Sequence, residues 1–396
     1  MIIFISISNK RGIMQRVYAD NSATSFPKAP AVSDAMKDYL DTTGFNINRS
    51  GYADSYSVAL EVLETRQMLA GLFHTQNAQE VVFTPGLTFS INMLLQGFLK
   101  RGDHIITSSM EHNAVMRPLY ALSKGGISFD AVPCGRNGLL RASDIIPLIR
   151  RETKAVFLLH ASNVCGTVMP IEAVSEICRE YKLRLIVDAA QTAGVLDINA
   201  GGIDAVVFSG HKGLLGPQGI GGFVIKKEFA QEVAPLIPGG TGSLSQEFEQ
   251  PEFLPDKYES GTLNIPGILG LKKALEYLVA TGIDSIYKKE TTIADAFVSR
   301  VQDIKGVRLI AEDPNIKKLA VVSLDFVGND NANIAAVLDN KYGIMTRCGL
   351  HCAPAAHKTL DTYPFGTVRF SFGHTNTLDE VEYITQSIKK ILRDQV

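Results

Sequence analysis

Cysteine is scarce in this chain of 396 residues, and its spacing fits neither a disulfide framework nor a zinc site. The five cysteines are an odd number and are scattered over more than 200 residues: Cys134, Cys165, Cys178, Cys348 and Cys352. Secreted proteins that rely on disulfides carry even, closely spaced sets. We therefore expect a reducing compartment, the cytoplasm. Cys348 and Cys352 lack a second ligand pair, so no metal site is expected.

Long apolar runs and charge of one dominant sign are also missing. No run approaches the roughly 18 residues that a membrane span needs. The 39 basic and 41 acidic residues give a formal net charge of -2, and no basic block is present. These features argue against a membrane protein and against binding to nucleic acid, and they leave small-molecule chemistry as the default. Residues 1–13 precede Met14 and are expected to be an upstream start or a frayed extension.

What the chain does have is an alternation of short apolar runs with longer helical patterns. The runs lie at 81–83, 105–107, 156–159, 185–187, 205–208 and 222–225. This order predicts an α/β fold, with a mostly parallel sheet that carries helices on both faces. We predict one large domain over 15–265 and a smaller α+β domain over 266–396, on which the first residues of the chain also pack.

Two of the runs end in a carboxylate and a lysine. Asp188 ends the run 185–187, and Lys212 follows the run 205–208 after Ser209 and His211. A carboxylate can keep a pyridine nitrogen protonated, and a desolvated lysine can attack an aldehyde. The hydroxyl and imidazole beside the lysine suit a phosphate. The set predicts pyridoxal 5'-phosphate (PLP); the alternative is a helix cap and a solvated loop lysine.

Other polar residues follow neighbouring runs and point to the same edge of the sheet. Thr88 opens a helix after a Pro-Gly turn, where free N–H groups favour an anion. Asn163 follows the run 156–159, and Gln191 follows the run 185–187, three residues after Asp188. Ligands of open α/β sheets bind outside the carboxyl ends of the strands, so these groups should share one crevice. His112 is either an ordinary histidine at a strand end or an imidazole stacked on the cofactor ring.

Eight motifs, taken in order, give the chain a family resemblance. They are Asp20-Asn21-Ser22-Ala23-Thr24, Glu111-His112, Ser162-Asn163-Val164-Cys165-Gly166-Thr167, Asp188-Ala189-Ala190-Gln191, Ser209-Gly210-His211-Lys212, Gly261-Thr262-Leu263-Asn264, Arg347-Cys348-Gly349-Leu350-His351-Cys352-Ala353 and Arg369. The series resembles the class V aminotransferase superfamily, and within it the Suf-like (group II) cysteine desulfurases. The resemblance implies PLP fold type I with a seven-stranded sheet, and a homodimer.

The resemblance also implies roles in cofactor binding. Lys212 would hold PLP covalently, and Asp188 would pair with its pyridine nitrogen. Gln191 would bond the phenolic oxygen, while His112 would stack on the ring and take part in catalysis. The implied phosphate-binding residues are Thr88, Ser209, His211 and, from the second subunit, Thr262.

Further roles concern the substrate, L-cysteine. Asn163 and Arg369, together with Arg347, would bind its carboxylate. Cys352 would take the sulfur as a persulfide, leave L-alanine and pass the sulfur to an acceptor protein. The thiolate is the nucleophile in such a step, and His351 and Arg347 are expected to be cations that favour it.

The cysteine loop departs from the group II pattern, because Leu350 replaces a histidine and Cys348 adds a thiol. Two alternatives stay open. One is a selenocysteine lyase acting on L-selenocysteine, or another class V enzyme with the same cofactor. The other is a non-catalytic sulfur carrier or scaffold with a PLP fold, although the presence of Lys212 and Asp188 argues against it.

Overall fold

A computed structural model describes residues 16–47, 51–75 and 77–394, so the expectation for residues 1–13 lies outside the described part of the chain. The strands, in chain order, are β1 (Val17–Tyr18), β2 (Val81–Thr84), β3 (His104–Ser108), β4 (Ser128–Val132), β5 (Thr153–Leu159), β6 (Arg184–Asp188), β7 (Ala205–Ser209), β8 (Gly221–Ile225), β9 (Val307–Leu309), β10 (Val321–Phe326), β11 (Ile344–Met345), β12 (Arg347–Gly349) and β13 (Thr367–Ser371). The α-helices are α1 (Val32–Asp38), α2 (Ala53–Leu72), α3 (Leu87–Phe98), α4 (Asn113–Ser123), α5 (Ile171–Glu180), α6 (Lys227–Ala230), α7 (Ile265–Thr281), α8 (Ile283–Val301), α9 (Asn331–Tyr342), α10 (Pro354–Thr359) and α11 (Leu378–Asp394).

The central sheet has seven strands in the order β2-β8-β7-β6-β5-β3-β4. β8 runs antiparallel to its neighbours β2 and β7, whereas the other neighbouring pairs are parallel. The predicted α/β fold with a mostly parallel seven-stranded sheet is therefore confirmed. Its carboxyl ends bring the loops after β3, β5, β6 and β7 to one edge, where the site lies.

Alternating side chains of each strand enter the cores on the two faces of the sheet. In β7, Val206 and Phe208 pack into the core on one face, while Val207 packs into the core on the other. β5 behaves in the same way, with Leu158 and Phe157 on opposite faces. A strand that is buried on both faces must be apolar throughout, and this explains the continuous apolar runs in the sequence.

The C-terminal part forms an antiparallel sheet of four strands in the order β12-β13-β10-β9. β1 pairs in parallel with β11, so the first described residues lie against this C-terminal part. Residues 344–349 are divided between two sheets, because β11 pairs with β1, whereas β12 pairs with β13. Within the described ranges, no helix combines the length and apolarity of a membrane span.

Candidate active site

A cavity of about 780 Å³ opens at the carboxyl ends of the parallel strands. Ten of the predicted site residues line it: Thr88, His112, Asn163, Asp188, Gln191, Ser209, His211, Lys212, Arg347 and Arg369. They come from the carboxyl ends of strands of the large sheet and the segments that follow those strands, and from β12 and β13 of the smaller sheet. The cavity therefore lies between the two sheets.

Lys212 and Asp188 both line this cavity, and neither forms an ion pair with another described residue. Among the described residues, the Lys212 side chain makes no hydrogen bond or ion pair, and Asp188 accepts one hydrogen bond, from Ala190 N at 2.8 Å. Burial lowers the pKa of Lys212 to about 8, although the nearby Asp188 carboxylate opposes that shift. Burial likewise raises the pKa of Asp188. Asp188 is buried with a single hydrogen bond and Lys212 is half-buried with none, so an aldehyde-bearing cationic ring would give both groups a partner.

A set of hydroxyl and imidazole groups also lines the cavity. Thr88 is in the first turn of α3, and Ser209 ends β7. Nδ1 of His211 lies 3.0 Å from Oγ1 of Thr24, and burial lowers the pKa of this imidazole to about 4, so it is neutral near pH 7. Lys28 Nζ donates to the His211 carbonyl at 2.9 Å. The helix N-terminus and these hydroxyls fit a phosphate.

Lys28 supports the site through contacts that the sequence pattern does not predict. Its Nζ also donates to Thr24 Oγ1 at 3.0 Å, and burial lowers its pKa to about 8. The residue fixes the carbonyl that precedes Lys212 and thus the turn that presents this lysine. No local pattern marks such a contact, because Lys28 and His211 are separated by 183 residues.

His112 and Gln191 occupy fixed positions in the cavity wall. His112 is the N-cap of α4, and its Nδ1 accepts a hydrogen bond from Ala114 N at 3.0 Å. Burial, with smaller effects of the neighbouring cations Lys212 and Arg347, lowers its pKa to about 4. Gln191 Nε2 donates to the Ser22 carbonyl at 3.2 Å. The neutral imidazole presents a flat face that suits an aromatic ring.

Two arginines from adjacent strands form the opposite side of the cavity. Arg347 on β12 and Arg369 on β13 are direct partners in the strand register. Arg369 is 1% exposed, and it donates from Nη1 to the Asn163 carbonyl at 2.9 Å and from Nη2 to Oδ1 of Asp20 at 2.6 Å. Its Nε has no partner in the described part of the chain. A buried N–H without an acceptor suits the carboxylate of a substrate.

The loop after β12 holds Cys352 next to the cavity: Cys352 is not among the lining residues, but its neighbours Arg347 and His351 are. Cys352 is exposed, and its Sγ lies 3.2 Å from Nη2 of Arg347. His351 and Cys352 have φ values of 48° and 57°, in the left-handed region that non-glycine residues rarely adopt. Hydrogen bonds to their carbonyls hold this turn, from Asn163 Nδ2 at 2.9 Å and from Asn113 N at 2.7 Å.

In this loop the structure corrects the expected charge of His351 and shows where the added thiol of Cys348 lies. His351 is not a cation: it is 2% exposed, Nε2 lies 3.0 Å from Thr367 Oγ1, and burial lowers its pKa to about 2. Cys348 lies beside Arg347 on β12, but it packs against the core of the C-terminal part. Arg347 is thus the cation at Cys352. Thr262 is exposed and does not line the cavity of its own chain.

The family model "Aminotransferase class-V" matches residues 17–384, and the chain belongs to this family. A probable cysteine desulfurase of Methanothermobacter thermautotrophicus is 30% identical over 385 residues, which cover 96% of this chain and 95% of the relative. A probable cysteine desulfurase of Halalkalibacterium halodurans is 31% identical over 387 residues, covering 94% and 92%. The predicted family is confirmed, and its PLP dependence makes PLP the cofactor of this chain.

Solved structures of similar proteins agree with this assignment. The apo structure of a cysteine desulfurase from Thermococcus onnurineus NA1 has a TM-score of 0.89 and 30% identity, with 96% of this chain and 95% of that chain covered. A cysteine desulfurase from Escherichia coli has a TM-score of 0.86 and 28% identity, covering 95% and 94%. The fold predicted from the sequence is that of these enzymes, while the group II subtype stays a prediction.

Proposed function

We propose that the chain is a PLP-dependent cysteine desulfurase that converts L-cysteine to L-alanine and receives the sulfur on Cys352. The observation that carries the proposal is the position of an exposed cysteine, held in a strained turn, next to a cavity built around Lys212 and Asp188. An aminotransferase needs no thiol there, whereas a desulfurase needs a thiol that reaches both the substrate and a second acceptor.

The side chains at the cavity fit PLP, and we assign its contacts to them. Asp188 would hold the pyridine nitrogen, Gln191 the phenolic oxygen and Lys212 the aldehyde carbon. His112 would stack on the ring. The phosphate would be held by Thr88, Ser209 and His211. When bound, PLP supplies an electron sink for the substrate's Cα.

Lys212 is suited to moving protons in this reaction. A lysine with a pKa of about 8 is partly neutral near pH 7 and can both take up and give back a proton. Arg369 and Asn163 would fix the substrate carboxylate, so the Cα proton would face the lysine in one orientation only. We therefore assign proton transfer to Lys212 and orientation to Arg369.

The sulfur step needs no external oxidant. The bond between Cβ and sulfur in L-cysteine breaks, and a bond between that sulfur and Sγ of Cys352 forms. The transferred sulfur is oxidised from the thiol to the persulfide level, and the three-carbon fragment is reduced to L-alanine with the thiol proton. Arg347 donates a hydrogen bond to Sγ at 3.2 Å and would stabilise negative charge on the attacking sulfur.

The exposure of Cys352 supports delivery of the sulfur to an acceptor protein, since a second thiol can approach from outside.

The exposure of Thr262 supports a homodimer in which each subunit lends this hydroxyl to its partner's phosphate site. All five cysteines are free, in keeping with the cytoplasm.

The test is to incubate the purified, PLP-loaded protein with L-cysteine and a reducing thiol and to measure sulfide and alanine. Equal amounts of both products are expected. L-Selenocysteine is measured in parallel, because a selenocysteine lyase would release selenide but hardly any sulfide. Absence of both products would leave the non-catalytic alternative.

A further inference from the structure

The substrate side of the cavity carries two guanidinium groups, although L-cysteine offers only one carboxylate. Arg347 and Arg369 lie side by side on β12 and β13, and both line the cavity. Two adjacent arginines would attract a ligand with two negative charges more strongly than a ligand with one. The selectivity of such a site therefore depends on what neutralises one of them.

Asp20 provides that neutralisation from the other end of the chain. Its Oδ1 lies 2.6 Å from Nη2 of Arg369, and the arginine is almost completely buried. A charged pair with a buried partner is screened far less by water and salt than an exposed pair. The contacts with Asn163 and Asp20 use two of the five N–H groups of Arg369, and the residue lines the cavity, so the arginine can still bind one carboxylate.

The backbone around Asp20 fixes the carboxylate in this position. Asp20 forms an isolated bridge with Ser371, which is two residues beyond Arg369 on the same face of β13. Asn21 N donates to the Ser371 carbonyl at 3.1 Å, and Ser22 N donates to Ser371 Oγ at 2.9 Å. The Asp20 side chain is thus held beside the arginine by three consecutive residues.

We propose that Asp20 is a specificity-determining residue, which sets the charge at the substrate end of the cavity so that amino acids with a single carboxylate are preferred over dianionic ones. This inference rests on the proposed role of Arg369 in binding the substrate carboxylate. With Asp20 in place, the two guanidinium groups and one carboxylate carry a net single positive charge. Without that carboxylate the net charge doubles, and a dianion gains about twice as much as a monoanion.

The test compares the binding of propionate and succinate to the PLP-loaded enzyme by isothermal titration calorimetry. Asp20→Asn keeps an oxygen that can accept the hydrogen bond from Arg369 and removes only the charge. The preference for succinate over propionate, taken as the ratio of their dissociation constants, is expected to rise about tenfold. Glu382→Gln is the matched control, because it removes a carboxylate from an exposed ion pair with Arg300 and should leave the ratio unchanged.

An unchanged ratio in a folded, PLP-loaded Asp20→Asn protein would overturn the proposal and reduce Asp20 to a hydrogen-bond acceptor. A second variant, Asp20→Ala, tests whether the effect comes from the charge or from the packing of the side chain. If the charge is the cause, Asp20→Ala should raise the ratio as much as Asp20→Asn does. If the wild type binds neither propionate nor succinate, while sulfide is released from L-cysteine, the carboxylate role of Arg369 fails and the desulfurase assignment stands. Failure of sulfide release together with normal carboxylate binding would instead overturn only the desulfurase.

Discussion

Arg347 donates a hydrogen bond to Cys352, with 3.2 Å between Nη2 and Sγ. The donor belongs to a strand and is fixed by the pairing of β12 with β13, whereas the acceptor belongs to the strained turn that follows. The contact holds the thiol next to Arg347, which lines the cavity.

Replacing Cys352 by serine should separate sulfur transfer from cofactor chemistry. Cys352→Ser is expected to keep PLP binding and the spectral change on adding L-cysteine, because neither involves the thiol. Sulfide release should fall by at least about a hundredfold. Cys348→Ser is the control, and it should be mild because Cys348 packs against the C-terminal core. Wild-type turnover in Cys352→Ser would contradict the persulfide mechanism.

Removal of the Arg347 guanidinium should make Cys352 less reactive. In Arg347→Met, alkylation of Cys352 by iodoacetamide near pH 7 is expected to slow about tenfold, since a hydrogen-bonded cation stabilises negative charge on sulfur. Mass spectrometry of the Cys352 peptide over time measures the rate. Arg136→Met is the control, because Arg136 forms an exposed ion pair with Asp361. Equal rates in both variants and the wild type would contradict the assigned role of Arg347.

Lys212 is the only lysine among the residues that line the described cavity. Lys212→Ala should therefore abolish the visible absorbance of lysine-linked PLP and lower activity by about a thousandfold or more. Lys28→Met tests specificity, because Lys28 lies close by and contacts the His211 carbonyl. It should keep the absorbance. Retention of the absorbance in Lys212→Ala would show that another lysine binds the cofactor.

Glu290 should make the folded protein less stable at high pH. Burial raises the pKa of its carboxyl from 4.5 to about 8, so the folded chain holds this proton more tightly than the unfolded chain. The stabilising contribution is complete below about pH 4.5 and is lost as the pH rises through about 8. Glu290→Gln should be about as stable as the wild type near pH 4 and become more stable by about 5 kcal/mol above pH 8, because the shift from 4.5 to about 8 corresponds to about 1.4 kcal/mol per pKa unit.

Thermal denaturation of the two proteins at both pH values measures this difference. Glu382→Gln serves here as well, because its carboxylate is exposed and should not change the slope with pH. Parallel pH curves for wild type and Glu290→Gln would show that Glu290 ionises as easily in the folded as in the unfolded chain.

Thr262 should matter only to a neighbouring subunit. Thr262→Ala is expected to weaken PLP binding by about tenfold, the loss of one hydrogen bond to a charged phosphate. In a mixed dimer with Lys212→Ala subunits, the Thr262→Ala subunit should regain normal affinity, because its partner supplies the hydroxyl. A monomer in sedimentation experiments that binds PLP fully would contradict this assignment.

The sequence predicts the parts of the fold that are buried on both faces. Apolar runs such as 205–208 read as strands because both faces of the sheet are covered. The apolar runs of the sequence do not indicate β4, because Ser128 and Ala131 are exposed on this edge strand and only Val132 is fully buried. The division of 344–349 between two sheets was also missed, since local hydrophobicity does not encode the pairing partner.

The site could be predicted where each residue follows a strand, as Asp188 and Lys212 do. What could not be predicted depends on distant neighbours. The charge of His351 is one example, because burial of its imidazole beside Thr367 keeps it neutral. The contact of Asp20 is another example. Its motif indicates no partner, because Arg369 is 349 residues away in the sequence.

That separation has a consequence for how the enzyme is made. Val17 and Tyr18 pair with Ile344 and Met345, and Asp20 contacts Arg369, so residues 17–20 cannot reach their final contacts until residues 344–369 have been synthesised. Contacts so far apart in sequence are costly in loop entropy and form late. The large sheet can assemble during synthesis, whereas the side of the cavity formed by Arg347 and Arg369 is completed only after both arginines have been synthesised.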